Sequence, residues 1–89
     1  MRYARRIDTN QVEIVETLRK LGFSVVPNHD DILVGRDGVT LWVELKSQDG
    51  RITKSQEQLL DKYQGAYIVA RNFQEITNWF MYGQTTVPD

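Results

Sequence analysis

The sequence predicts an α/β domain in which helices flank a mixed sheet of about four strands. Two observations carry that expectation. A β-hairpin is written around Asp37-Gly38, with β-rich runs on both sides of the turn pair. Further on, after a helical stretch, "AYIVA" is β-rich without polar alternation, the pattern of a strand covered on both faces. The predicted order is αβββαβα, and the strand after the second helix is reached by a crossover.

The elements follow in turn. A basic lead-in with Arg2, Arg5 and Arg6 gives way at Asp8 or Thr9 to an N-cap signal, and "NQVEIVETLRKLG" then carries helical spacing. Val12, Ile14, Val15, Leu18 and Leu21 fall on one side, Gln11 projects into that apolar face, and Gly22 closes the helix. "FSVVP" reads as a strand stopped by Pro27. The hairpin follows as "DILVGR", the turn, and "VTLWVELK". After the loop "SQDGRIT", Thr53 or Ser55 caps a short helix that runs to Tyr63. Asn72 caps a last helix, "FQEITNWFMY".

Bulk properties narrow the function classes. At 89 residues the chain is expected to form one domain, with residues 1–7 a basic arm and 83–89 a tail of lower order. A net charge of −1 gives no global basic field, so any nucleic-acid contact rests on a local patch. The absence of cysteine excludes disulfides and thiolate metal sites. No apolar leader or membrane span is present, and the expected location is cytoplasmic.

The hairpin holds the strongest chemical signal. With a two-residue turn at Asp37-Gly38, facing residues have numbers summing to 75, so Asp31 faces Glu44. Facing residues share one side of the sheet with Cβ atoms about 4.5–5.5 Å apart, and two carboxylates so placed repel one another. A bound divalent cation reverses the sign of that interaction. Hard oxygen donors of this kind suit Mg2+ or Mn2+, which keep several waters. Lys46 returns to the face of Glu44 by the strand's period of two, and the Leu45 carbonyl between them is a further candidate ligand. An ammonium fixed beside a metal orients a water or stabilises charge on a phosphorane.

Two glutamines add polar groups. Leu59, Leu60 and Tyr63 follow Gln56 at helical offsets, which turns Gln56 inward with them, and Gln11 makes the same demand from the first helix. Each residue also has an ordinary reading. A Glu-x-Lys on a strand is commonly a solvated ion pair, Asp31 an ordinary strand-entry residue, and a glutamine a cap or bridge for backbone groups. The convergence of four positions on one pocket favours the site. His29, beside a turn, has no role beyond that of a proton acceptor.

At these residues the chain resembles the PD-(D/E)XK nuclease superfamily, and within it the virus-type replication-repair nuclease (VRR-NUC) domains of bacteriophages. The resemblance runs over nearly the whole chain, through "LRKLGFSVV", "DDILVG", "VELK" and "GRITKSQ". The last segment, Gly50 to Gln56, is the most discriminating. The resemblance implies a restriction-endonuclease-like core, with Asp31 and Glu44 as metal ligands, Lys46 as catalytic lysine and Gln56 as the family's helix glutamine. The chain departs from the pattern twice. Asp30 stands where the family has proline, and Gln11 stands where the similar Holliday-junction resolvases carry a glutamate.

The expected function is therefore Mg2+- or Mn2+-dependent hydrolysis of DNA, structure-specific for branched or junction DNA, in phage replication, recombination or repair. Arg51 and Lys54, with Arg5 and Arg6 on the basic arm, are the expected phosphate contacts. A homodimer is expected, because symmetric cutting needs two pockets. One competing reading is a DNA-binding module that keeps the fold with little or no catalysis. Another is a structural or regulatory phage protein that docks through its aromatic last helix.

Overall fold

The computed structural model describes residues 9–83. Seven elements follow one another in the predicted order: α1 (Thr9–Lys20), β1 (Ser24–Pro27), β2 (Asp31–Arg36), β3 (Val39–Leu45), α2 (Lys54–Lys62), β4 (Tyr67–Ala70) and α3 (Phe73–Tyr82). The strands form one sheet in the order β1-β2-β3-β4. β1, β2 and β3 pair antiparallel, whereas β3 and β4 pair parallel. A parallel neighbour cannot be reached through a tight turn, and the chain returns to it through α2.

The hairpin turn fixes the register on which the site depends. Asp37 and Gly38 both have positive φ, 54° and 81°, as a type I′ turn requires, and Asp is among the few side chains that tolerate it. From Arg36 opposite Val39, the ladder runs without a bulge to Asp31 opposite Glu44. A slip of one residue would turn every side chain to the other face.

Helix α1 ends in a Schellman motif. Gly22 has φ 98°, its N–H donates to Arg19 O at 3.0 Å, and the Phe23 N–H donates to Leu18 O at 3.0 Å. Phe23 and Leu18 are both buried in the core, so the motif aims the chain from α1 into β1. The buried stripe of α1 is Gln11, Ile14, Val15 and Leu18. Val12 and Leu21, expected on the same face, are each 47% exposed. They flank a stripe that is only about 100° wide where a helix meets a sheet.

The sheet separates two unequal layers. Ile32 and Val34 of β2, Leu41 and Val43 of β3 and Ala70 of β4 pack with Ile14, Val15 and Leu18 of α1 and Ile76 of α3. The Phe23 and Phe80 rings meet at 5.0 Å in this layer. By strand alternation, Asp31, Leu33, Trp42, Glu44 and Tyr67 lie on the other face. Tyr63, at the end of α2, meets the Trp42 ring at 5.2 Å, so α2 stands on that second face. No residue of α2 is buried, which leaves its side of the sheet thinly covered.

Spacing from Phe73, Ile76 and Phe80 puts Trp79, Met81 and Tyr82 at least partly outside the apolar stripe of α3. Trp79 is half-buried: it packs against the core, edge-on to Phe80 at 5.0 Å, and keeps part of its surface exposed. Met81 and Tyr82 are exposed. Among the described residues, no helix is long and apolar enough to cross a membrane.

Candidate functional site

Asp31 and Glu44 stand directly opposite each other on β2 and β3. Three backbone hydrogen bonds hold the strand ends that carry them. The Asn28 N–H donates to Asp31 O at 2.8 Å, the Leu45 N–H to Asp30 O at 2.9 Å, and the Lys46 N–H to Ala70 O at 3.0 Å. The acids therefore sit on ordered ladder, bounded by β4 on one side and the turn after β1 on the other. A site built on strands keeps tighter geometry than one built on loops.

The environment works against two free carboxylates. Burial raises the Glu44 carboxyl above its ordinary value; Lys46 opposes the rise, and the charges of Asp30 and Asp31 add to it. The Asp31 carboxylate is anchored: the indole Nε1–H of Trp42 donates to its Oδ2 at 2.8 Å. Trp42 precedes Glu44 by two residues and so shares its face, but apolar alternation alone marks it only as a packing residue. A shallow cleft of about 380 Å3, lined by Val26, Pro27, Leu33 and Trp42, also reaches Asp31 and opens it to ligands.

Lys46 extends the same face one step beyond β3. Among the described residues it closes no direct salt bridge, although its charge offsets part of the rise in the Glu44 pKa. Its alkyl stem lies against Gly50, where a Cβ would stand 3.3 Å from Lys46 Cδ and equally close to Ser47. The glycine of "GRITKSQ" thus permits the loop to fold onto the lysine. Arg71, which the sequence did not mark, ties this loop to the end of β4: its Nη2 donates to Gly50 O at 2.6 Å. The Arg71 N–H in turn donates to Glu75 Oε1 at 2.7 Å.

Both glutamines serve the backbone, and neither meets the acid pair through a hydrogen bond. Gln56 is the N3 residue of a capping box. Its Oε1 accepts from the Thr53 N–H at 3.0 Å, and its own N–H donates to Thr53 Oγ1 at 3.2 Å. Tyr63 and Leu60, expected to turn inward with it, are exposed. Gln11 is buried, as its place on α1 implied, and its Nε2 donates to Asn28 O at 3.4 Å. Since the Asn28 N–H bonds to Asp31, Gln11 braces the turn that delivers Asp31. Arg51 and Lys54 are exposed on the loop and at the start of α2. Arg5 and Arg6, with Arg2, lie outside the described residues.

Comparison with protein-family models, curated proteins and solved structures returned no match for the chain. The chemistry of the site therefore rests on its geometry.

Tyr67 is the other residue the sequence did not reveal. It pairs with Trp42 in the parallel register, and the two rings meet at 4.7 Å. Its hydroxyl is buried and has no hydrogen-bond partner among the described residues, a condition that costs about 1–3 kcal/mol. Burial raises its pKa, and the charges of Glu44 and then Asp31 raise it further; by strand alternation and register Tyr67 shares the sheet face of both acids. Hairpin arithmetic reaches Trp42, but Tyr67 joins the site through the β3–β4 pairing, whose register no turn encodes.

The donor set suits a hard cation that keeps most of its water. Among the described residues, no group of three or more His, Cys, Asp or Glu side chains is placed to hold a metal ion. Asp31 and Glu44 offer two facing carboxylates, with the Leu45 carbonyl between Glu44 and Lys46. Mg2+ is commonly held by one or two carboxylates and completes its octahedron with waters.

Proposed function

We propose that the protein is a Mg2+- or Mn2+-dependent endonuclease that hydrolyses DNA phosphodiester bonds, built on a restriction-endonuclease-like core of the PD-(D/E)XK kind. The observation that carries this reading is the pairing of Asp31 with Glu44 on one sheet face, with Lys46 one step beyond. Two opposed acids destabilise a hairpin, and a burial-raised Glu44 adds to that cost. A function that uses both carboxylates at once accounts for the arrangement.

Asp31, Glu44 and the Leu45 carbonyl would hold the cation. When bound, it supplies an activated water and neutralises charge on the phosphate. Lys46 orients the attacking water and stabilises charge on the pentacoordinate phosphorus, whose leaving oxygen departs opposite the entering one. Trp42 keeps the Asp31 carboxylate in place. Gln11 and Gln56 complete the site, one by bracing the turn before Asp31 and the other by capping the helix that presents Lys54. Arg51 and Lys54 take backbone phosphates beside Lys46, joined by Arg5 and Arg6. Branched or junction DNA is the proposed substrate, in phage replication, recombination or repair, with the work done in the cytoplasm.

A second reading, a DNA-binding module with little catalysis, is favoured by Gln11. Its amide nitrogen is engaged by Asn28 O, at a position where an acid would strengthen metal binding. Incubating the chain with linear, nicked, flapped and four-way DNAs, in Mg2+, Mn2+ or chelator, separates the two. Metal-dependent products support the nuclease. Salt-sensitive binding without products in either metal supports the module.

A further inference from the structure

Tyr67 carries the one buried side-chain polar atom without a partner among the described residues, and it shares the sheet face of the acid pair, beside Trp42 in the parallel register. Its ring is fixed on two sides. Trp42 packs edge-on at 4.7 Å and Tyr63 at 6.3 Å, and Tyr67 is 8% exposed, so the hydroxyl cannot swing out to water without breaking the cluster. Trp42 belongs to the same cluster and donates its N–H to Asp31. The aromatic layer therefore brings two donors to the face of the acids. One is engaged, and the other is held in place with nothing to donate to.

A donor kept dry on the face of two carboxylates suits an acceptor that arrives with the ligand. A purely structural tyrosine at this position gains nothing from its hydroxyl, since phenylalanine fills the same space. We propose that Tyr67 is a positioning residue whose hydroxyl donates to a ligand-borne oxygen between Asp31 and Glu44, either a water of the hydrated cation or a phosphate oxygen of DNA. This rests on the metal-dependent reading above and extends it to a group outside the acids and Lys46. Partners in this outer layer typically change metal affinity by about 10- to 100-fold.

The test uses binding rather than cleavage. Mn2+ is titrated by electron paramagnetic resonance into the wild type, Tyr67→Phe and Glu44→Gln, and binding of a four-way DNA is measured in Ca2+. If the acceptor is metal-bound water, Tyr67→Phe weakens Mn2+ about 10-fold. If it is a phosphate oxygen, Mn2+ affinity holds and DNA affinity in Ca2+ falls. Either result supports the proposal, provided that the metal-free melting temperature is no lower than wild type. Should the variant melt lower, wild-type protein with 13C-labelled tyrosine decides. The Tyr67 Cζ resonance is expected to move with Mg2+ or with Ca2+ and DNA, while that of Tyr63 stays, and a stationary Tyr67 signal overturns the proposal. Unchanged Mn2+ and DNA affinity in Tyr67→Phe overturns it too, and leaves the metal reading standing if Glu44→Gln loses Mn2+. Equal Mn2+ behaviour in wild type and Glu44→Gln removes the metal reading and this proposal together.

Discussion

The Trp42 indole N–H donates to Asp31 Oδ2 at 2.8 Å, across the strand pair that also sets Asp31 against Glu44. An indole in that position restricts the acid's rotamer and leaves its second oxygen for a ligand. Hydrogen-bonded partners of ligating carboxylates tune the site almost as strongly as the ligands themselves. Trp42→Phe keeps an aromatic ring against Tyr67 while removing the N–H. We expect it to lower stability by about 1.5 kcal/mol, the lower end for a hydrogen bond to a charged group. The loss of Mg2+-dependent activity should be larger, roughly 10-fold or more. Urea denaturation alongside cleavage rates checks both, and an activity loss no larger than the stability change accounts for would leave Trp42 a packing residue.

Glu44 makes the protein's stability depend on pH in a defined direction. Its folded pKa is raised, so the folded chain holds the proton more tightly than the unfolded chain does. Below the ordinary value of 4.5 both states are protonated and Glu44 costs nothing. The cost appears as pH rises and is complete above the raised folded pKa. In chelator, Glu44→Gln should therefore melt higher than wild type at pH 7 and match it at pH 4. In Mg2+ at pH 7 the order should reverse, because only the wild type gains from binding the cation. Melting curves at the two pH values, with and without Mg2+, would show whether the order crosses.

The parts of this molecule legible in the sequence are those written by local rules. Asp37-Gly38 encodes its turn, and that turn alone dictates Asp31 opposite Glu44. Thr53 and Asn72 cap the helices expected of them, and Gly22 ends α1. What escaped depends on contacts between distant segments. Tyr67 joins the face of the acids only through the parallel register with Trp42, and Arg71 reaches Gly50 across a crossover. Gln56 is half-buried with Leu59, on the side where helical spacing put it, and as the N3 residue its amide oxygen finds its partner in the N-cap of its own helix.

On the nuclease reading, a Lys46 variant should separate chemistry from binding. With its stem against Gly50 and no salt bridge among the described residues, its ammonium stabilises little in the resting fold. Lys46→Ala should reduce cleavage by about 100-fold or more, the range for a group acting at the reacting centre. DNA affinity in Ca2+ should stay close to wild type, since a group that acts in the transition state contributes little to ground-state binding. Single-turnover rates and binding isotherms on one junction substrate check this. Wild-type cleavage by the variant would remove Lys46 from the mechanism.

The end of α3 bears on assembly. One pocket cuts one strand, and paired cuts in a junction or duplex need two pockets related by a two-fold axis. Among the large apolar side chains of this helix, Phe73, Ile76, Trp79 and Phe80 are taken up by the core, while Met81 and Tyr82 are 69% and 59% exposed. Exposed apolar groups clustered at a helix end mark a contact surface. We expect a homodimer joined through this end of α3. Trp79 is half-buried against the core, so a charge there would disturb the monomer as well as any interface. Met81→Glu changes an exposed position and should leave the melting temperature of the separated chain unchanged within about 0.5 kcal/mol of stability. Light scattering after size exclusion, at micromolar concentrations, should give a mass near twice the 10.4 kDa of one chain for wild type and near 10.4 kDa for Met81→Glu. A wild-type mass of 10.4 kDa across the concentration range would instead describe a monomer that nicks one strand at a time.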